Sequence, residues 1–258
     1  MTKLELDQNE YGNFLRCLSV LKDVCNDVDI RDGFIRQRSN DLTTVFEINL
    51  QELFGEINLP ISDSKRKLDL FKIFSGTDVS IEIVEVEEES NSYFNMTDNI
   101  SVLKFNFPAR DFFDNKFMTT DELDKIFDLS DDNLILHDQL DTLVTDRIRI
   151  ISENFNTNAI QVLFENDKAS IISSAQSKDQ HATLKSEVPL NITFEEKSFA
   201  NLSVVQFCLE HDGDLEFKMY QDPEKNILLN KVSTNVGNIP INVYSRSLLN
   251  SWLLEERN

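Results

Sequence analysis

Residues 9–25, NEYGNFLRCLSVLKDVC, and residues 138–155, DQLDTLVTDRIRIISENF, decide how this chain is read. The first stretch sets Tyr11, Phe14, Leu15, Leu18, Leu21 and Cys25 on one stripe at the i, i+3, i+4, i+7 spacing of an amphipathic helix. The second does the same with Leu140, Val144, Ile148, Ile151 and Phe155. Each helix is succeeded by elements in the same order: strand, tight turn, strand, strands, a second helix and further strands. A whole-domain repeat fixes the architecture before any residue has a role.

Outward from the first helix, TKLELDQ (2–8) alternates as a strand. DVDIRDGFIRQRS (27–39) carries Asp32-Gly33 between two short alternating runs, a hairpin signal. LTTVFEINLQEL (42–53) reads as one long β-branched strand. SDSKRKLDLFKIFSG (62–76) reads as a helix with an Asp/Ser cap and a terminal Gly76. DVSIEIVEV, SYFNMT and ISVLKFNF then run as a three-strand meander over 78–107.

Outward from the second helix, NLILHDQ (133–139) precedes it as a strand. AIQVLFENDKASIISSA (159–175) reads as a hairpin turning at Asn166-Asp167, and HATLKSEVPLNITFEE (181–196) as two strands. EKSFANLSVVQFCLEH (196–211) reads as the second helix of this half. GDLEFKMYQDP, KNILLNKVST and IPINVYSRS come next as strands, and the tail LLNSWLLEERN (248–258) reads as a short helix. The expected fold class is α+β: two similar domains, each with two helices on one face of a mainly antiparallel sheet of about nine strands. The boundaries are 1–110, a connector at 111–132, and 133–258. The connector region is acidic yet holds Phe112, Phe113, Phe117, Ile126, Phe127 and Leu129, too apolar to be fully solvated.

The 258 residues carry a net charge of −21. That charge repels nucleic acid at long range, so any DNA-binding role must collect the scarce cations on one face. No apolar run approaches the ~20 residues of a membrane-spanning helix. Cys17, Cys25 and Cys208 read as buried thiols in a reducing compartment. A soluble intracellular protein with no membrane partner is expected.

With this order of elements, FLRCLSVLKDVCNDVDIRDGFIRQRSNDLTTVFEINL, SKRKLDLFKIFSGTDVSIEIVEV and DRIRIISENFNTNAIQVLFENDKASIISSAQ together resemble the DNA sliding clamp family, PCNA and the related phage and viral processivity factors. The resemblance spans almost the whole chain and rests on order and spacing, not on one motif. It implies the DNA clamp fold, a homotrimeric ring around double-stranded DNA, and no enzymatic activity, cofactor or metal. Its partners would be a replicative DNA polymerase, other clamp-binding proteins and a clamp loader. The setting would be host cytoplasm for a phage and the nucleus for a eukaryotic source.

The resemblance further implies roles for particular residues. Arg16 and Lys22 on the first helix, Lys65, Arg66, Lys67 and Lys72 on the second, Arg147 and Arg149 on the third, and Lys197 at the start of the fourth would meet DNA phosphates. The plain alternative is that these are solvated helix faces, and the fourth helix carries little positive charge. Leu42, Ile126, Phe127, Leu129 and Tyr244 would form a pocket for a partner's helical turn. Val102, Leu103 and Phe105 of one chain would meet Leu184 of a neighbour by edge-strand pairing.

HDGD at 211–214 has metal-ligand residue types but sits in a Gly turn, and EVEEES (85–90) reads as a solvated strand end. No phosphate-cradling Gly loop and no nucleophile elbow is present. Three rival functions stay open: a monomeric or dimeric viral processivity factor of the same fold, an acidic scaffold or DNA mimic, and an enzyme, which would require a deep polar pocket with perturbed carboxylates.

Overall fold

The computed structural model describes residues 2–86, 92–108, 113, 117–127, 129–155, 157, 159–176, 181–207, 211–222 and 226–251. Phe112, Cys208, most of the acidic run at 85–90 and the tail beyond Ser251 lie outside them. The chain forms two compact units. The first is residues 1–119 with 235–241, and the second is residues 120–234 with 242–258.

In the first unit, β1 (Thr2–Leu6) leads into α1 (Gln8–Leu21). Asp7 starts this helix with a reciprocal cap. Its Oδ1 accepts from the Asn9 and Glu10 amides at 2.8 Å each, while its own amide donates to Glu10 Oε2 at 2.8 Å. The predicted stripe is buried as expected, and Cys17 joins it. Cys25 is buried just past the helix, where its amide donates to the Leu21 carbonyl at 2.7 Å.

Next come β2 (Val28–Ile30), β3 (Phe34–Arg38), β4 (Thr44–Asn49), α2 (Gln51–Phe54), β5 (Leu59–Ile61), α3 (Ser64–Phe71), β6 (Val79–Val84), β7 (Tyr93–Thr97) and β8 (Val102–Asn106). β2 pairs with β5 and β3 with β4, both antiparallel. Between β2 and β3, Asp32 at φ 52° and Gly33 at φ 76° make the tight turn the sequence predicts. The remaining strands form one antiparallel sheet in the order β1–β6–β7–β8.

Two local expectations fail here. Residues 42–53 are not one strand: β4 stops at Asn49, whose Oδ1 accepts from the Gln51 amide at 3.0 Å and starts the one-turn α2. Gly55, at φ 58°, ends that turn with Phe54 buried. Nor does Asp63 cap α3 through its side chain; it is held at φ 51° while its amide donates to Asp27 Oδ1 at 3.0 Å. Past α3, a 3₁₀ turn at Lys72–Phe74 runs to Gly76 at φ 86°. The core is aromatic: Tyr11, Phe14, Phe54 and Phe74 contact one another in series, and Phe71, Phe94 and Phe105 form a second group.

The second unit contains α4 (Thr120–Ile126), β9 (Leu134–Leu140), α5 (Thr142–Phe155), β10 (Ala159–Gln176), β11 (His181–Ser203), β12 (Leu215–Asp222), β13 (Ile227–Val236), β14 (Ile239–Leu248) and β15 (Asn250–Ser251). Within it, β9, β12, β13 and β14 are neighbours in that order, which repeats β1–β6–β7–β8 of the first unit. Residues 159–164 pair with 198–203 as β2 pairs with β5, and residues 168–176 pair with 181–189 as β3 pairs with β4. The duplication is therefore one of topology, strand for strand.

Four expectations are corrected in this unit. Asn166-Asp167 is not a hairpin: β10 runs through it, with a register irregularity and Asn166 at φ 56°. This is where the chain passes from one pairing segment to the next, as Asp32-Gly33 does in the first unit. HATLKSEVPLNITFEE is part of one irregular strand, not two. Residues 196–203 are strand, not helix, with a 3₁₀ turn after them at Val204–Phe207. Phe199, Ala200 and Leu202 suit either period, and pairing with Leu163, Val162 and Ile160 satisfies their backbone groups. The described start of the tail is also strand: Ser251 and Asn250 pair with Ser198 and Phe199.

The tip of the β13–β14 hairpin belongs to the first unit. Gly237 sits there at φ 59°, where a Cβ would lie 2.2 Å from Asn13 Nδ2 on α1. Among the described residues no helix is long and apolar enough to cross a membrane.

Candidate functional site

The candidate phosphate-binding residues of the first unit lie on α1 and α3 or, for Lys22 and Lys72, one residue past their ends. Lys65, Arg66 and Lys72 are exposed, Arg16, Lys22 and Lys67 half-buried. Lys65 Nζ meets Asp23 Oδ1 at 2.9 Å, and Lys72 Nζ meets Asp69 Oδ1 at 2.9 Å. The Lys72 hydrogen bond holds the Asp69 carboxyl below its ordinary range, with help from the charges of Lys22 and Lys65. Of these three, Lys72 alone contacts Asp69, while Lys65 is paired with Asp23. Lys67 differs: burial lowers its ammonium, which hydrogen-bonds Ser62 Oγ at 3.0 Å and lies 5.7 Å from the centre of the Phe105 ring.

In the second unit, Arg147 is exposed on α5, and Arg149 Nη2 pairs with Asp146 Oδ1 at 2.7 Å. Lys197 does not begin a helix. It lies exposed on β11, with its Nζ 2.8 Å from Glu165 Oε1. The outward side of α5 also shows Leu143 at 55% and Ile150 at 53% exposure.

Of the candidate pocket residues, Phe127 and Tyr244 meet, with ring centroids 5.3 Å apart, and both are buried. Ile126 and Leu129 flank them half-buried. Two cations that sequence reasoning missed border this pair. Arg246 donates to the Ile126 carbonyl and lies 5.6 Å over the Phe127 ring, and Lys231 lies 5.6 Å over the Tyr244 ring. Arg246 was within reach, being two residues past Tyr244 and so on the same strand face. Leu42 belongs to the first unit, 63% exposed at φ 61° in the turn between β3 and β4.

The candidate subunit contacts lie on strands with a free edge among the described pairings. β8 ends its sheet, with Val102 69% exposed. Leu103 is half-buried and Phe105 stacks on Phe94 at 5.0 Å. Leu184 pairs with Ser173 in the 181–189 segment, which has a partner only on its β10 side among the described residues. His211, of HDGD, is engaged structurally, its Nδ1 2.6 Å from the Gly213 carbonyl. Among the described residues no group of three His, Cys, Asp or Glu side chains is placed to hold a metal ion.

Two copies of one helix-and-sheet topology in succession define a DNA clamp fold. More narrowly, the fold is that of the PCNA sliding clamps. The structure is similar to the PCNA2–PCNA3 complex of Sulfolobus tokodaii, with a TM-score of 0.55 and 15% identity over 95% of this chain and 99% of that one. It is similar to A. fulgidus PCNA, solved with the C-terminal region of FEN-1, with a TM-score of 0.59 and 11% identity over 95% and 97%. Entamoeba histolytica PCNA gives a TM-score of 0.56 and 11% identity over 95% and 98%. No protein-family model matches the chain, and no curated protein matches it in sequence.

Proposed function

We propose that this chain is the subunit of a DNA sliding clamp, a homotrimer that encircles duplex DNA and tethers a replicative DNA polymerase. The observation that carries the reading is the strand-for-strand repeat of the clamp topology within one chain. Such a ring performs no bond chemistry. It raises the polymerase's effective concentration at the primer end, so that each dissociation leads to recapture. Sliding needs phosphate contacts without base readout, the work proposed for Arg16, Lys22, Lys65, Arg66, Lys67, Lys72, Arg147, Arg149 and Lys197. β8, through Val102, Leu103 and Phe105, would pair with the Leu184 segment of the next chain, a heterologous contact that three copies close. With the domains at 1–110 and 133–258, the connector at 111–132 would offer Ile126, Phe127 and Leu129, with Tyr244 and Leu42, to polymerase and other partner peptides.

The test is topological. A ring loaded on nicked circular DNA is retained, and is lost when the circle is linearised; native mass spectrometry gives three chains. It should lengthen polymerase products on primed templates. Equal retention on linear and circular DNA would rule out encirclement. A second reading, a non-ring viral processivity factor of this fold, is favoured by the concentration of cations on α1 and α3 and the apolar outward side of α5. It expects one or two chains by mass and no effect of linearisation.

A further inference from the structure

We propose that the face of the second unit's sheet beside Phe127 and Tyr244 receives an acidic segment of a partner protein, its carboxylates meeting Lys231 and Arg246. This deepens the partner-pocket reading above and rests on it. In the antiparallel register of β12 and β13, Lys218 stands directly opposite Lys231. Like charges in that position oppose each other. Glu216 relieves only one of them: its Oε1 is 2.9 Å from Lys218 Nζ and 2.9 Å from His137 Nε2. Asp131 adds its charge near Lys218 and Tyr220. Lys231 has no carboxylate partner among the described residues, only the Tyr244 ring at 5.6 Å. Arg246 likewise meets a carbonyl and a ring, not a carboxylate, among the described residues. Two cations without counter-ions on a chain of net charge −21 are out of balance with their surroundings, and both border the same aromatic pair.

A protein segment fits better than a duplex. Two cations are too few for a phosphate track. α4, which ends at this site, exposes Asp121, Glu122 and Asp124 against the single cation Lys125, so its net negative charge would repel a long polyanion but leave room for a short peptide. The half-buried Ile126 and Leu129 offer apolar contact beside the charges.

Two synthetic peptides of equal length test this, each with two aromatic residues on one helical turn and then either Glu-Glu or Gln-Gln. The intact protein should bind the acidic peptide about five- to tenfold more tightly at low salt, an advantage that shrinks as salt rises. Lys231→Glu should abolish or reverse the preference while leaving Arg246 on the Ile126 carbonyl, and a Lys-Lys peptide should then bind the variant better than the acidic one. A thermal melt checks that Lys231→Gln and Lys231→Glu fold alike. Equal binding of the acidic and neutral peptides by the unaltered protein overturns the acidic preference alone. Failure of both peptides to bind overturns the pocket reading and this proposal together. Displacement of the acidic peptide by duplex DNA would assign the face to nucleic acid and overturn the protein partner.

Discussion

Leu42 holds a left-handed backbone, at φ 61°, in a turn that leaves its side chain 63% exposed. For a residue with a Cβ that conformation costs roughly 1 kcal/mol. The turn around it is well made: the Leu42 amide donates to the Ser39 carbonyl at 2.9 Å, and Asp41 Oδ1 accepts from Ser39 Oγ at 2.5 Å and from the Thr43 amide at 3.1 Å. None of these bonds uses the Leu42 side chain. Leu42→Gly should therefore keep the turn and relieve the strain, a net gain of about 0.5 kcal/mol after the added freedom of the unfolded chain. For a chain of this size that raises Tm by about 1–2 °C. Leu42→Ala keeps the strained Cβ and should leave Tm unchanged. If Leu42 anchors a partner, both variants lose its burial. Full burial of a leucine is worth about 1.5–3 kcal/mol, and about two-thirds of this one is exposed, so roughly 1–2 kcal/mol, or about 5- to 30-fold in affinity, is at stake. Calorimetry and titration of a two-aromatic clamp-binding peptide read the two effects separately. A Gly variant no more stable than the Ala variant would refute the strain argument; unchanged peptide affinity in both would remove Leu42 from the pocket.

Neutralising the carboxylates that occupy the cations of the first unit, Asp23→Asn with Asp69→Asn, should free Lys65 and Lys72 and strengthen DNA retention, with a steeper loss on raising salt; weaker or unchanged retention would place α3 away from DNA. Burial works to raise the Asp41 carboxyl, but hydrogen bonds from Ser39 and Thr43 prevail and hold it below its ordinary range. Its contribution to stability is thus present above the unfolded value near 3.9 and is lost as pH falls through the lower folded value, so Asp41→Asn should be less stable at neutral pH and converge with the parent in strong acid. Denaturant unfolding across that pH range checks it. Gly237→Ala sets a Cβ 2.2 Å from Asn13 Nδ2 at φ 59°, which should cost about 1–3 kcal/mol in urea unfolding. Asn13→Ala in the same chain should recover the steric part and leave the backbone part.

Much of the fold was legible in the residues. The stripe from Tyr11 to Leu21 and the Asp32-Gly33 turn arise from interactions within a few residues, so they are read without knowing the neighbours. The candidate site was legible only as residue types. That Lys65 is engaged by Asp23, 42 residues away, or that Lys231 and Arg246 frame Phe127 and Tyr244, depends on pairings across long stretches of chain.

What the sequence by itself determined, then, is the pair of amphipathic helices and the repeated order of strands, because periodicity and turn chemistry act locally. Only the tertiary structure decided that residues 196–203 extend a strand, that Asn166 is a passage and not a reversal, and that Phe127 meets Tyr244 of β14 with cations beside the pair. The apolar spacing of Phe199, Ala200 and Leu202 fits both periods. Their neighbours on β10 offered backbone partners that a helix in isolation would not have used, and that pairing settled the choice.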